Sequence, residues 1–211
     1  IGSLQATPQL FCAAQETGDA TYADIAIQHT AAVIDIHMRH DGSIIQSSEL
    51  DPKSGHVARY FTHKGFSNDS VWGRAQAWGL VYTAIALAHR PQEKRWMERL
   101  LKGADWWLAN VPPDRVAFWD LNDPAIPDTE RDTAATAIAC SALLKLAELA
   151  PSVELRAQYR SAAEQTATAL VDGFLTPVYR DDDRPEGMLV GGCFNKRRDA
   201  RAQDSAANAE T

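Results

Sequence analysis

The sequence predicts an all-α protein built from consecutive pairs of helices. Three observations carry that expectation. Apolar residues recur at helical spacing through most of the 211 residues. The breaks between the runs hold helix-stop and helix-start residues, such as Thr17-Gly18-Asp19 and Asp172-Gly173. The second member of each pair opens near an aromatic, at Tyr22-Ala23-Asp24, Trp96-Met97-Glu98 and Tyr159-Arg160-Ser161, spaced by 74 and then 63 residues. A repeat of helical hairpins forms an open superhelix or a closed double ring. Long irregular loops bearing Trp, Asp, His and Arg favour the ring, where loops at one end build a pocket.

In chain order, residues 4–15 read as a first helix, stopped by Gly18, and residues 22–40 as a second amphipathic one. His29 and His37 share its stripe, with no third ligand in view. The period then shortens. Residues 43–46 and 56–60 read as a hairpin around Asp51-Pro52-Lys53-Ser54-Gly55. A third helix is expected to open at Asp69 or Ser70, either of which can cap it, and to end near His89-Arg90-Pro91. A fourth covers residues 92–110 and is closed by Pro112-Pro113. The alanine-rich run at 133–149 predicts an inner helix able to pack closely on both sides, and residues 155–171 the sixth.

Composition narrows the function classes. Hydrophobic residues make up 45% of the chain, enough for one sizeable core. The net charge of −7 argues against a nucleic-acid surface, so an anion site here must be made by local cations. Cys12, Cys140 and Cys193 are odd in number and lack metal-type spacing, which points to buried thiols rather than a disulfide framework or a zinc site. No metal or other cofactor is expected. No apolar run is long enough to span a membrane, and no basic-then-apolar leader is visible, which favours a cytoplasmic over a secreted setting. The chain begins with Ile1, not Met.

The stretch Ser67-Asn68-Asp69-Ser70-Val71-Trp72-Gly73-Arg74-Ala75-Gln76-Ala77-Trp78 is the chemical centre of the sequence. On a helix, Ser70, Arg74 and Trp78 share one face. Arg offers a two-pronged donor to carboxylate and Trp a flat face for a ring, which suits a planar anion joined to a ring. The same spacing also fits a salt-bridged Arg and a core Trp. The hairpin delivers His63 and Lys64 just before this helix, adding a titratable group and a positive charge that are otherwise ordinary loop residues.

From Thr62 to Trp78 the sequence resembles the Thr-His-Gln-Gly-Tyr-x-Asp-Asp-Ser-x-Trp-x-Arg-Gly-Gln-Ala-Trp signature of the unsaturated glucuronyl hydrolases, glycoside hydrolase family 88. Asp51-Pro52, Trp119-Asp120, Ile126-Pro127-Asp128, Arg131-Asp132-Thr133-Ala134-Ala135 and Leu189-Val190-Gly191-Gly192-Cys193-Phe194-Asn195-Lys196-Arg197 follow in family order. The resemblance implies an (α/α)6 barrel, of which about half is present, so that residues 1–211 form one partial domain truncated at both ends. It implies removal of a terminal 4,5-unsaturated uronic acid from lyase-generated oligosaccharides by hydration of the enol ether, with an Asp as general acid and base. Carried over by position, His63, Arg74 and Trp78 match active-site residues and Trp72 lies close to the pocket. Three substitutions stand out: Gln46 takes the place of a pocket His, Lys64 that of a Gln, and Gly2 that of the catalytic Asp. Two functions follow, a glycoside hydrolase of this type or an inactive relative that at most binds an acidic sugar. The implied partner is an unsaturated uronyl oligosaccharide; the assembly state is left open.

Overall fold

The computed structural model describes residues 1–176 and 187–196 and the backbone of 207–208. One turn of 3-10 helix, Gly2–Gln5, leads into α1, Ala6–Thr17. Gly18 ends α1 in the left-handed conformation (φ 71°), its amide donating to the Ala14 carbonyl. Asp19 then caps α2, Ala20–His37, by accepting from the Thr21 amide at 2.9 Å. A hairpin of β1, Ser47–Leu50, and β2, Val57–Phe61, precedes α3, Gly73–His89, and α4, Lys94–Asn110. A long loop leads to α5, Thr133–Leu149, and α6, Val153–Phe174, the latter capped by the Ser152 hydroxyl. Short strands β3, Gly192–Cys193, and β4, Ala207–Asn208, pair antiparallel.

The helices pack as three hairpins, α1 with α2, α3 with α4 and α5 with α6. Within this arrangement α3 lies between α1 and α5, so the first members form the inner row and the second members the outer. This is part of an (α/α)6 barrel. The inner helix α3 is apolar nearly all round, with Ala75, Ala77, Leu80, Ala84, Ala86 and Leu87 wholly buried, as a helix enclosed on every side must be. Between α3 and α4, Gly103 admits Leu80, whose Cδ2 would lie 2.8 Å from a Cβ at that position. Gln76 ties the same junction together, its amide donating to the Gly42 and Gly103 carbonyls at 2.9 and 3.1 Å. The aromatics that open the outer helices differ in role: Trp96 and Tyr159 are buried, and the Tyr159 hydroxyl donates to Asp105 of α4 at 2.8 Å, whereas Tyr22 is partly exposed.

Three local expectations are corrected. The second helix ends at His37 rather than residue 40, because Met38 turns extended and bridges Ile44, while the Ile45 amide returns to the His37 carbonyl. The first hairpin strand consequently lies at Ser47–Leu50, not at residues 43–46, since Ile44 and Ile45 are buried beneath α2. The third helix begins at Gly73, with Trp72 in the cap position and no side-chain cap, so neither Asp69 nor Ser70 caps it. Ser70 is therefore off the helix and off the face it was expected to share with Arg74 and Trp78. Its hydroxyl is taken by Asp120 (2.6 Å) and by the Ser67 carbonyl (2.8 Å). Among the described residues no helix is long and apolar enough to cross a membrane.

Candidate functional site

Arg74 emerges from the first turn of α3 and is 15% exposed. Its Nε and Nη2 donate to the two carboxylate oxygens of Asp132 at 2.7 and 3.0 Å, a two-pronged ion pair that joins the starts of inner helices α3 and α5. Asp132 is wholly buried, and its Oδ1 also accepts from the Cys193 amide at 3.3 Å. That fork is filled from within the chain. Nη1 makes no hydrogen bond among the described residues.

Phe194 gathers the remaining groups. Its ring lies under the Arg74 guanidinium at 5.0 Å and the Lys64 ammonium at 4.5 Å. The Trp72 indole meets it edge-on at 5.7 Å and donates to its carbonyl at 3.1 Å. Two cations on one aromatic face reinforce each other's placement through the ring quadrupole while repelling each other, an arrangement that gains from an anion between them. Three predicted site residues, Lys64, Trp72 and Arg74, are thus brought together.

The other three stand differently. Gln46 works as a loop clamp: its Oε1 accepts from the Thr62 hydroxyl (2.5 Å), the His63 amide (2.9 Å) and the Lys64 amide (3.1 Å). Since only the carbonyl oxygen can accept three donors, the amide orientation is settled. His63 is exposed and packs edge-on to Phe61 at 4.8 Å. Trp78 is half-buried and stacked on Tyr82, 5.2 Å away with planes 12° apart. Gly2 is exposed, and a Cβ there would meet nothing within 4 Å, so the place expected to hold a carboxylate has room for one.

Sequence reasoning missed three participants. Asp132 was read only as part of a helix start, and nothing local ties it to Arg74, 58 residues earlier. Phe194 was read as part of a motif without a role. Asp120, wholly buried, has every oxygen engaged: Oδ2 accepts from the Phe66 amide (2.8 Å) and Ser70 hydroxyl, Oδ1 from the Asn122 amide (2.9 Å). Burial pushes its pKa up, against the lowering by those hydrogen bonds. Enclosed in this way it anchors the loop before α3 and has no path to a substrate proton. Among the described residues no group of His, Cys, Asp and Glu is placed to hold a metal ion. His29 instead meets the Ser3 carbonyl, and His37 that of Ile45. Arg197, the last residue of the expected motif, lies outside the described residues.

No protein-family model matches this chain. Known proteins do. An unsaturated glucuronyl hydrolase of Bacillus sp. (strain GL1) is 34% identical over 198 residues, 93% of this chain and 52% of that protein. The chain is a homologue of the unsaturated glucuronyl hydrolases. An unsaturated chondroitin disaccharide hydrolase of Streptococcus pyogenes serotype M1 is 34% identical over 78% of the chain and 41% of its own length. Among solved structures, the Bacillus sp. GL1 unsaturated glucuronyl hydrolase superposes with a TM-score of 0.82 at 32% identity, covering 91% of this chain and 50% of that one. An Asp-to-Asn variant of the Streptococcus agalactiae homologue, in complex with dGlcA-GalNAc6S, gives 0.78 at 26% identity over 91% of this chain and 50% of that one. The chain spans about half the length of the relatives it matches.

Proposed function

We propose that this chain supplies one side of the substrate site of an unsaturated glucuronyl hydrolase-type glycoside hydrolase, and that residues 1–211 are one partial barrel domain. The ligand is a 4,5-unsaturated uronic acid at the end of an oligosaccharide. The observation that carries the reading is the Lys64–Phe194–Arg74 arrangement, two cations over one ring, in a homologue of such hydrolases. In it the uronate carboxylate lies against Nη1 of Arg74, whose Nε and Nη2 are fixed by Asp132, and Trp78 offers its face to the sugar ring. Gln46 and His63 set the approach of Lys64 from below and beside the loop.

The reaction of such an enzyme adds one water across C4=C5, hydrogen to C4 and hydroxyl to C5. The resulting hemiketal opens to a ketone at C5, and the hemiacetal left at C1 expels the rest of the oligosaccharide. A carboxyl group must deliver and recover the proton. Gly2 stands where it is expected, and general acid–base groups contribute about 10²- to 10⁴-fold. The residues of this chain accordingly bind and orient, and binding is separable from turnover. That separation favours, for this chain acting alone, the reading of a relative that holds the acidic sugar without cleaving it.

Titration with an unsaturated glucuronyl disaccharide tests both statements. Saturable binding is expected, lost in Arg74→Ala, weakened in Arg74→Lys, which keeps the charge but not the fork, and weakened by salt in proportion to Lys64 in a Lys64→Gln comparison. The ultraviolet absorbance of the double bond should persist. Absent binding at about millimolar ligand, or binding unchanged in both Arg74 variants, overturns the site; decay of the absorbance overturns the separation from turnover.

A further inference from the structure

A second cleft lies outside the groups gathered on Phe194. It has a volume of about 410 Å³ and is bounded by the end of α2, the outer side of the hairpin and α4. Ile36, Met38 and Ile45 form apolar wall; Tyr60 contributes an aromatic ring that is 43% exposed. Arg39, Arg99 and His40 bring cationic or titratable groups to it, and Asp35 and Asp69 carboxylates. The volume is that of a small-molecule site, apolar with a few convergent polar groups.

The charges are not equivalent. Asp35 is already paired with Arg95 at 2.6 Å. Arg39 is held in place by the Ser43 hydroxyl at 3.1 Å and the Asp69 carbonyl at 3.2 Å, neither of which neutralises it. Arg99 is half-buried and has no hydrogen bond or ion pair among the described residues. Counting Arg95 with Asp35, the cleft carries three guanidinium groups against two carboxylates, in a chain whose net charge is −7. A local excess of positive charge beside an exposed aromatic ring suits an anionic sugar: the ring stacks on the tyrosine and the anion takes the arginine donors.

We propose that this cleft is a second, outer binding site for an acidic sugar unit, with Arg99 and Arg39 holding its anionic group and Tyr60 its ring. The hairpin separates it from the first site: Gln46 and Thr62 face the Lys64 loop, while Tyr60 and Ile45 face the cleft. It does not require an unsaturated ring and stands whether or not the function proposed above is correct.

The probe is therefore a saturated hexuronate tetrasaccharide, which lacks the double bond, with a neutral tetrasaccharide of the same length and a sulfated, carboxylate-free one alongside. Saturable binding of the hexuronate is expected, falling about tenfold in Arg99→Ala and severalfold in Tyr60→Ala, and weakening with salt. The same binding should be unchanged in Arg74→Ala, or in Arg74→Lys if the alanine variant does not fold. Binding of the sulfated probe as well assigns the site to anionic sugars in general; its rejection restricts the site to carboxylates. Equal binding of the neutral sugar, no saturable binding of the hexuronate, loss of binding in both Arg74 variants, or indifference to Arg99→Ala each overturns the proposal.

Discussion

The two ends of the site are held by opposite kinds of interaction. At the start of α3 the lock is ionic and buried, Arg74 forked on Asp132 with Phe194 above it. At the loop after β2 the lock is neutral, with one amide oxygen of Gln46 collecting three donors. An ionic lock gives a fixed fork but carries a desolvation cost that only both partners together offset. A neutral lock has no such liability, and each of its hydrogen bonds contributes about 0.5–1.5 kcal/mol. The helix start should therefore be the part that fails abruptly on mutation, and the loop the part that loosens by degrees.

The largest effect is expected from Asp132→Ala. It strands a guanidinium that is only 15% exposed and leaves the Cys193 amide without its acceptor, which should cost about 3–5 kcal/mol in urea unfolding. Replacing both partners, as in Arg74→Met with Asp132→Leu, should recover most of that loss; failure to recover would show that the fork stabilises beyond what its absence strands.

Acid should act on the neutral side. His37, beneath Gln46, is pushed down to about 4 from 6.5 by burial first and by the neighbouring Ile1 ammonium second. Its Nδ1 lies 2.9 Å from the Ile45 carbonyl, so Nδ1 carries the proton and Nε2 accepts from the Ser48 hydroxyl at 3.3 Å. The unfolded chain takes up a proton first as pH falls. The contribution is thus complete above pH 6.5 and is lost between 6.5 and about 4, by roughly 3 kcal/mol at most. Asp120, raised above 3.8, works in the opposite sense, because there the folded chain binds the proton first. Urea midpoints measured across this range should fall in the parent and flatten in His37→Asn.

Smaller still is Gln46→Leu, expected to cost about 2 kcal/mol and to speed amide exchange at His63 and Lys64, whose protection depends on that oxygen. Gln46→Glu keeps an acceptor in place and should change stability by less than about 1 kcal/mol. If both substitutions leave exchange unchanged, the clamp is not what holds the loop.

These two locks were unequally legible in the sequence. Helical period and caps located five of the six helices to within a few residues, because Gly18, Asp19, Pro112 and Ser152 act on neighbours close in the chain. The errors fall where a distant segment overrides a local preference. Ser70 has the chemistry of a cap, yet Asp120, 50 residues on, takes its hydroxyl and moves the helix start to Gly73. Arg74 was visible as a fork donor, but its carboxylate was not, since no local pattern distinguishes Asp132 from any other residue before a helix. Phe194, 120 residues beyond Arg74, was beyond the reach of periodicity altogether.

That same helix start also bears on the order in which the chain takes shape. The Gly73 amide donates to the Trp119 carbonyl and the Leu121 amide to the Val71 carbonyl, both at 2.9 Å, while Asn122 receives the Val71 amide. With no side-chain cap of its own, α3 has its first turn completed by a segment made some 50 residues later. During synthesis, which proceeds at about 5–20 residues per second, the first two hairpins emerge with this turn unfinished for several seconds, until Trp119 clears the ribosome. The outer helix α4 has then already been made, so the inner helix is fastened from behind, by a latch that arrives after the wall it sits against.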